Sequence, residues 1–398
     1  MKKQILFLLA AMILVSSAGC GKKASTETSG QTTAKTAEKQ ETADSASNSS
    51  DPKKEEKQES AAVSADPAML ELANSNIQTK YSQIAFDDTY IYFPAKDQMY
   101  RCRYDGSEVT AVFDKELTNA VAADGKLWGY YHTRKAEEQS ALYSIDLQTL
   151  SAAPEIETNG GWDEDYITSI LISGNRMFYV ARDGLELVDR DMTTGEEKTI
   201  CKWTEEENAT KDISMCLYGD TLYVLFYSSP SDYRYSLCSY DLGGNADELT
   251  EVATFSNNGP RAWIWMEDGL LIPGSSQFYH AGWSDVKDGK WDYRKGENKV
   301  GSEFDNTIFD RVSDNFNRSR YVLGNDLLVI DFSDVFYYKD FDFAAEQKLL
   351  KLEGGSFGAN TKPHGMHDGS VYIYNWQDKE ILKISEGGNV EHIPVTIP

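Results

Sequence analysis

The sequence predicts an all-β fold in which one unit is repeated around a ring, and three observations predict it. After residue 80 helical periodicity is scarce, and short aromatic and β-branched runs take its place: YIYF (90–93), KLWGYY (126–131), RMFYV (176–180), TLYVLFY (221–227), GLLIP (269–273), DLLVI (326–330) and SVYIYNW (370–376). Their markers Ile91, Leu127, Met177, Leu222, Leu270, Leu327 and Val371 lie 36, 50, 45, 48, 57 and 44 residues apart. Asp, Asn or Gly turn signals precede them (FDDT, ADGK, SGNR, YGDT, MEDG, LGND, HDGS), and a second apolar run typically follows each. A period of roughly 40–50 residues with several strands per unit is the signature of a β-propeller. Each four-stranded sheet has two apolar faces and cannot bury them alone, so stacking in a ring is the stable solution. Seven blades fit best; six or eight stay open because the fifth unit is poorly patterned.

The elements follow in chain order. Residues 1–20 read as a secretory signal, with Lys2 and Lys3 ahead of the apolar run 5–15, which is too short to span a bilayer. It ends in SSAGC, which resembles the bacterial lipobox and makes Cys20 the expected site of lipidation. Ser17 departs from the apolar residue usual there, and ordinary secretion is the alternative. Residues 21–66 lack large apolar side chains and are expected to form a disordered tether, with a span of roughly 35–40 Å. Residues 67–398 form the expected propeller. The tether holds seven lysines against nine acidic residues, so the propeller carries nearly all of the net charge of −25. That balance argues against nucleic acid and against docking on anionic lipid.

Within the blades, the third strands align so that Tyr104, Ile145, Tyr240, Phe341 and Ile384 share one apolar slot. Asp105, Asp146, Asp241, Asp342 and Ser385 follow it, as turn residues. Side chains alternate along a strand, so Cys102 points with Tyr104 into one inter-blade layer, and Arg101 and Arg103 point away. Asp105-Gly106 reads as a type I′ turn. Cys102, Cys201, Cys216 and Cys238 match no zinc or CxxC spacing, and buried thiols are at least as good a reading as disulfides.

The alternation YIYF…MYRCRYDGSEVTAV and VYIYNW…ILKISEGGNVEHI resembles the bacterial lipoprotein propellers related to the low-density-lipoprotein-receptor type. The YWTD tetrapeptide of the receptors is absent. The resemblance implies binding or scaffolding and transfers no catalytic residue.

Three patterns suggest chemistry and are outweighed. GGSFG (354–358) fits G-x-S-x-G with Ser356 as nucleophile and His364, His367 and Asp368 nearby, but a nucleophile elbow needs a strand–turn–helix in an α/β sheet. GWSDVKDGKW (282–291) partly resembles the Asp-box of sialidase-type propellers, with the wrong Ser–Asp distance, and reads as a β-turn. WDEDY (162–166) and DFSD (331–334) supply oxygen ligands without a calcium-loop spacing. No cofactor and no metal is expected.

Binding is the better expectation, on the rim shared by the loops that join strands two to three and strand four to the next blade. Five stretches read as long loops there: 132–141, 157–168, 202–212, 227–236 and 274–289. They carry Trp162, Asp163, Asp165, Tyr166, Trp203, Tyr233, Phe278, Tyr279, His280 and Trp283. The inner strand RAWIWM adds Arg261, Trp263 and Trp265. Aromatics beside carboxylates suit sugar rings, cationic groups or peptides. The expected function is therefore a monomeric, lipid-anchored binding or scaffolding propeller of the cell envelope, on the extracytoplasmic side, with a protein, peptide or glycan partner. The alternative is a glycan-active hydrolase or lyase, which needs two carboxylates roughly 5–10 Å apart on the rim.

Overall fold

The structure, a computed structural model, describes residues 84–398 apart from 134, 136, 159–166, 168, 182–184, 205–212, 230–233, 244–247, 256–262, 275, 288–297, 314–317, 332–333 and 353–362. The stretches read as signal and tether, with Cys20, and Ser356 lie outside the described residues. Among those described, no helix is long and apolar enough to cross a membrane.

Seven four-stranded antiparallel sheets follow one another along the chain, spanning 85–113, 118–158, 169–202, 213–255, 264–300, 318–351 and 364–394. Every sheet uses four consecutive strands. The buried apolar residues fall into seven clusters, and each cluster is drawn from two adjacent blades, with blade 7 meeting blade 1. That arrangement is a closed ring, a seven-bladed propeller. Alternation builds it: in the first strand of blade 4, Met215 and Leu217 join the layer against blade 3, and Cys216 joins the layer against blade 5.

The recurring turn signals are the hairpins between first and second strands, and six of them pair residues across a two-residue loop: Ala123 with Lys126, Ser173 with Arg176, Tyr218 with Thr221, Met266 with Gly269, Leu323 with Asp326, and His367 with Ser370. Residue order selects the turn. Asp124-Gly125 and Asp368-Gly369 have positive φ at both central positions, as type I′ requires, whereas Gly174, Gly219 and Gly324 take it at the first position alone, as in type II′.

Strand register corrects the third-strand alignment in two blades. Leu127 pairs with Ile145, Leu222 with Tyr240 and Val371 with Ile384, but Ile91 pairs with Cys102 and Leu327 with Tyr338. Cys102 and Tyr338 therefore hold the apolar slot, in place of Tyr104 and Phe341, because the exit turns of blades 1 and 6 differ in length from the others. Gly106 also departs from the type I′ expectation. It alone is left-handed (φ 80°), its N–H donates to the Arg103 carbonyl (2.9 Å), and the Arg103 N–H donates to Ser107 (2.9 Å), the pattern of a three-residue loop with a G1 bulge. Asp146 and Asp191 cap longer loops: each carboxylate accepts two backbone N–H groups, from Gln148 and Thr149 and from Thr193 and Thr194. Those bonds hold both carboxyls below the usual carboxylate range.

Polar contacts between innermost strands tie the blades together. Ser169, Ser214 and Ser319 stand at one register position, opposite Val180, Leu225 and Ile330. Ser214 Oγ accepts from Trp265 Nε1 of the next blade (2.6 Å), and Ser319 Oγ meets His364 Nε2 of the next (2.8 Å). Blades 7 and 1 close the ring without exchanging a strand, through an apolar cluster that includes Ile91, Phe93, Tyr374 and Ile393, and through one backbone bond from Ile84 to His364 (3.3 Å).

Candidate functional site

The structure moves most of the described rim aromatics into the core. Trp203, Trp263, Trp265, Phe278 and Trp283 are buried. Trp203 packs on Phe226 and Trp263 on Tyr235, while Trp283 stacks on Tyr218 (4.8 Å) and donates Nε1 to the Glu267 carbonyl (2.9 Å). The stretch 274–289 is accordingly not a loop. Phe278–Gly282 is the third strand of blade 5, and Trp283–Lys287 is a short helix where a β-turn was expected. Its aromatics alternate with small and polar residues because they serve a strand face. Tyr279 and His280 are half-buried. Trp162, Asp163, Asp165, Tyr166, Tyr233 and Arg261 lie outside the described residues.

Two sequence patterns resolve into packing. Cys102 is fully buried, and burial pushes its thiol up to about 12, so it is no nucleophile at neutral pH. Cys102, Cys201, Cys216 and Cys238 are all thiols. His364, near Ser356 in sequence, has no exposed surface; it lies between Ser319 Oγ and the Tyr321 hydroxyl (2.6 Å to Nδ1), and burial lowers it to about 4. Its imidazole is neutral and joins the innermost strands of blades 6 and 7. His367 stacks on Phe86 (5.0 Å) and Tyr104 (5.7 Å) at the seam of the ring.

A groove opens elsewhere, at blade 5. Among the described residues the outer strand there is only Lys299–Val300, paired with Tyr279 and Phe278 of the third strand, and Trp283–Lys287 is helical. The cavity has a volume of about 500 Å³. Its floor is apolar: Met266, Leu271, Val300 and, from blade 6, Phe341. Asp268 of the first hairpin, His280, Asp285 of the short helix, Asn298 and Lys299 supply its polar lining. His280 Nε2 lies 3.0 Å from Asp268 Oδ1, and its backbone N–H donates to the Asn298 carbonyl (2.9 Å). Phe341 is fixed in place: Ser302 donates its N–H to the Phe341 carbonyl (3.0 Å), and Gly301, left-handed at φ 78°, passes so close that an added Cβ would sit 2.4 Å from the Phe341 Cβ.

This groove lies on the rim of the hairpins between first and second strands, opposite the rim of the hairpins between second and third strands. Of the sequence candidates it contains His280. Asp268, Asp285 and Lys299 were missed, since they come from a turn, a helix and an outer strand with no shared spacing. On the loop rim the sequence reading also missed Trp376, which follows the second strand of blade 7 and is 50% exposed. The run SVYIYNW drew Trp376 into the strand, whereas the pairing of Asn375 with Glu380 ends the strand one residue before it.

The fold defines the class, an all-β seven-bladed propeller. No protein-family model matches the chain, and no curated protein is similar to it in sequence. Solved structures match it. A Bacteroides uniformis protein described as a 6-phosphogluconolactonase has 10% identity and a TM-score of 0.47, with 77% of this chain and 93% of that one covered. The N-terminal domain of Nup159 has 10% identity and a TM-score of 0.44, covering 79% and 92%. A nidogen/laminin complex has 9% identity and a TM-score of 0.34, covering 77% and 93%. At these values the likeness is one of fold.

Proposed function

We propose that this chain is a lipid-anchored, extracytoplasmic binding propeller, akin to the bacterial lipoprotein propellers of the low-density-lipoprotein-receptor type. The observation that carries the reading is the blade 5 groove. It is an apolar-floored cavity with convergent polar groups on a rigid scaffold, the usual build of a ligand site. Blade packing fixes its walls, and among the described residues the side chains of Asp285, Asn298 and Lys299 have no hydrogen bond or ion pair. The loop-rim residues Trp162, Asp163, Asp165, Tyr166, Tyr233 and Arg261 are a second candidate surface, for a protein, peptide or glycan partner.

The signal, the SSAGC sequence and the polar tether support the anchor. Cys20→Ala is expected to abolish fatty-acid labelling and to release the full chain from the membrane fraction; continued labelling would refute the anchor. Binding is tested by thermal shift of the full chain in detergent against wall glycans, peptides, small amines and Ca²⁺, since a ligand of the native state raises the melting temperature. A panel with no shift at all would argue against a binding module.

A further inference from the structure

We propose that the blade 5 groove recognises a small organic cation, a primary amine carried on an apolar body. The inference rests on the groove being a ligand site and assigns its ligand class. Three features of the groove lead there.

Size comes first. A cavity of about 500 Å³ holds a ligand of roughly ten to twenty heavy atoms, within the ordinary range of small-molecule sites. The floor comes second: Met266, Leu271, Val300 and Phe341 offer thioether, branched aliphatic and aromatic surface, which favours an apolar or aromatic ligand body.

Charge comes third and sets the polarity. Asp268 and Asp285 bring two carboxylates to the lining. Both carboxylates are exposed; among the described residues Asp268 is engaged through one oxygen, by His280 at 3.0 Å, and Asp285 has no bond. An ammonium beside either carboxylate gains a charge-assisted hydrogen bond. Lys299 is the one lysine or arginine among the described lining residues, and it stands on the outermost strand, whereas Asp268 belongs to the hairpin nearest the ring axis. Like charge keeps a ligand ammonium away from Lys299 and turns it inward. The net charge of −25 adds a long-range field that concentrates cations and repels anions.

The test uses the full chain and three probes of one shape: phenethylamine, 2-phenylethanol and 3-phenylpropanoate. Dissociation constants are measured by ligand-detected NMR or calorimetry at low and high salt. Phenethylamine is expected to bind at least tenfold tighter than either analogue, with the preference shrinking as salt rises. Asp285→Asn and Asp268→Asn, which keep side-chain size, are each expected to weaken the amine about fivefold or more and to leave 2-phenylethanol unchanged. Equal affinity for the three probes would overturn the proposal, as would amine binding that survives both substitutions. A failure here, beside a thermal shift with a glycan or peptide, removes the amine assignment and leaves the binding propeller standing.

Discussion

His364 shows how a single buried side chain shapes the behaviour of the ring. Held neutral between Ser319 and Tyr321, it titrates near 4, whereas an imidazole in the unfolded chain titrates near 6.5. Between those values the unfolded state binds more protons than the folded one, so stability falls as the pH drops from about 6.5 towards 4 and the loss is complete below that. The loss expected is about 3 kcal/mol for a shift of this size. Denaturant midpoints measured from pH 7 to pH 4 should show it, and His364→Gln should flatten the slope in that window while costing some stability at pH 7. An equal slope in both proteins would count against the assignment. Nothing in the sequence around His364 marked this role. The histidine drew notice only beside a G-x-S-x-G match that was set aside, because its partners come from another blade, more than forty residues upstream.

At the scale of elements, turns were the legible part and blade 5 the illegible one. The Asp-Gly and Gly-Asn pairs announce hairpins because φ is positive there, and few other residues accept that conformation. Blade 5 hides its pattern because its outer strand is two residues long and a helix replaces the expected turn. Aromatics next to Gly, Ser and Asp then read as loop residues, although Phe278 and Trp283 fill inter-blade layers. The same distinction yields a paired prediction. Gly106 and Gly125 are both left-handed, but an added Cβ at Gly106 would lie 2.2 Å from the Pro394 carbonyl oxygen, whereas Gly125 has nothing within 4 Å. Gly125→Ala should cost about 1–2 kcal/mol of backbone strain. Gly106→Ala should cost clearly more, since blade 7 must also move; thermal melts of the two variants decide it, and equal costs would mean that the seam yields freely. A double-mutant cycle on Ser214→Ala and Trp265→Phe is expected to give a coupling of about 1 kcal/mol from the bond between blades 4 and 5.

For the whole molecule, seven like interfaces share the work of stability, and the period of the apolar runs made that visible from the residues alone. The groove was not visible in this way. Its carboxylates and its floor converge from a hairpin, a strand, a helix and the neighbouring blade, and only the stacking of blade 6 on blade 5 brings Phe341 to Leu271 and Val300. A site assembled across blades leaves no motif in any one repeat. Gly301→Ala therefore tests the groove as a unit: its Cβ would meet Phe341, so the variant should lose both thermal stability and the amine preference, whereas the exposed Gly174→Ala should keep the preference.

Because among the described residues no strand crosses from the last blade to the first, the seam is chemically a junction like the other six. The order of blades in space is then independent of where the chain happens to be cut. A circular permutant with residues 84 and 398 joined by a short linker, and new ends opened in the connection between blades 3 and 4, should fold to the same ring with nearly the same melting temperature. The starting point of the polypeptide within the ring would in that case be independent of its architecture.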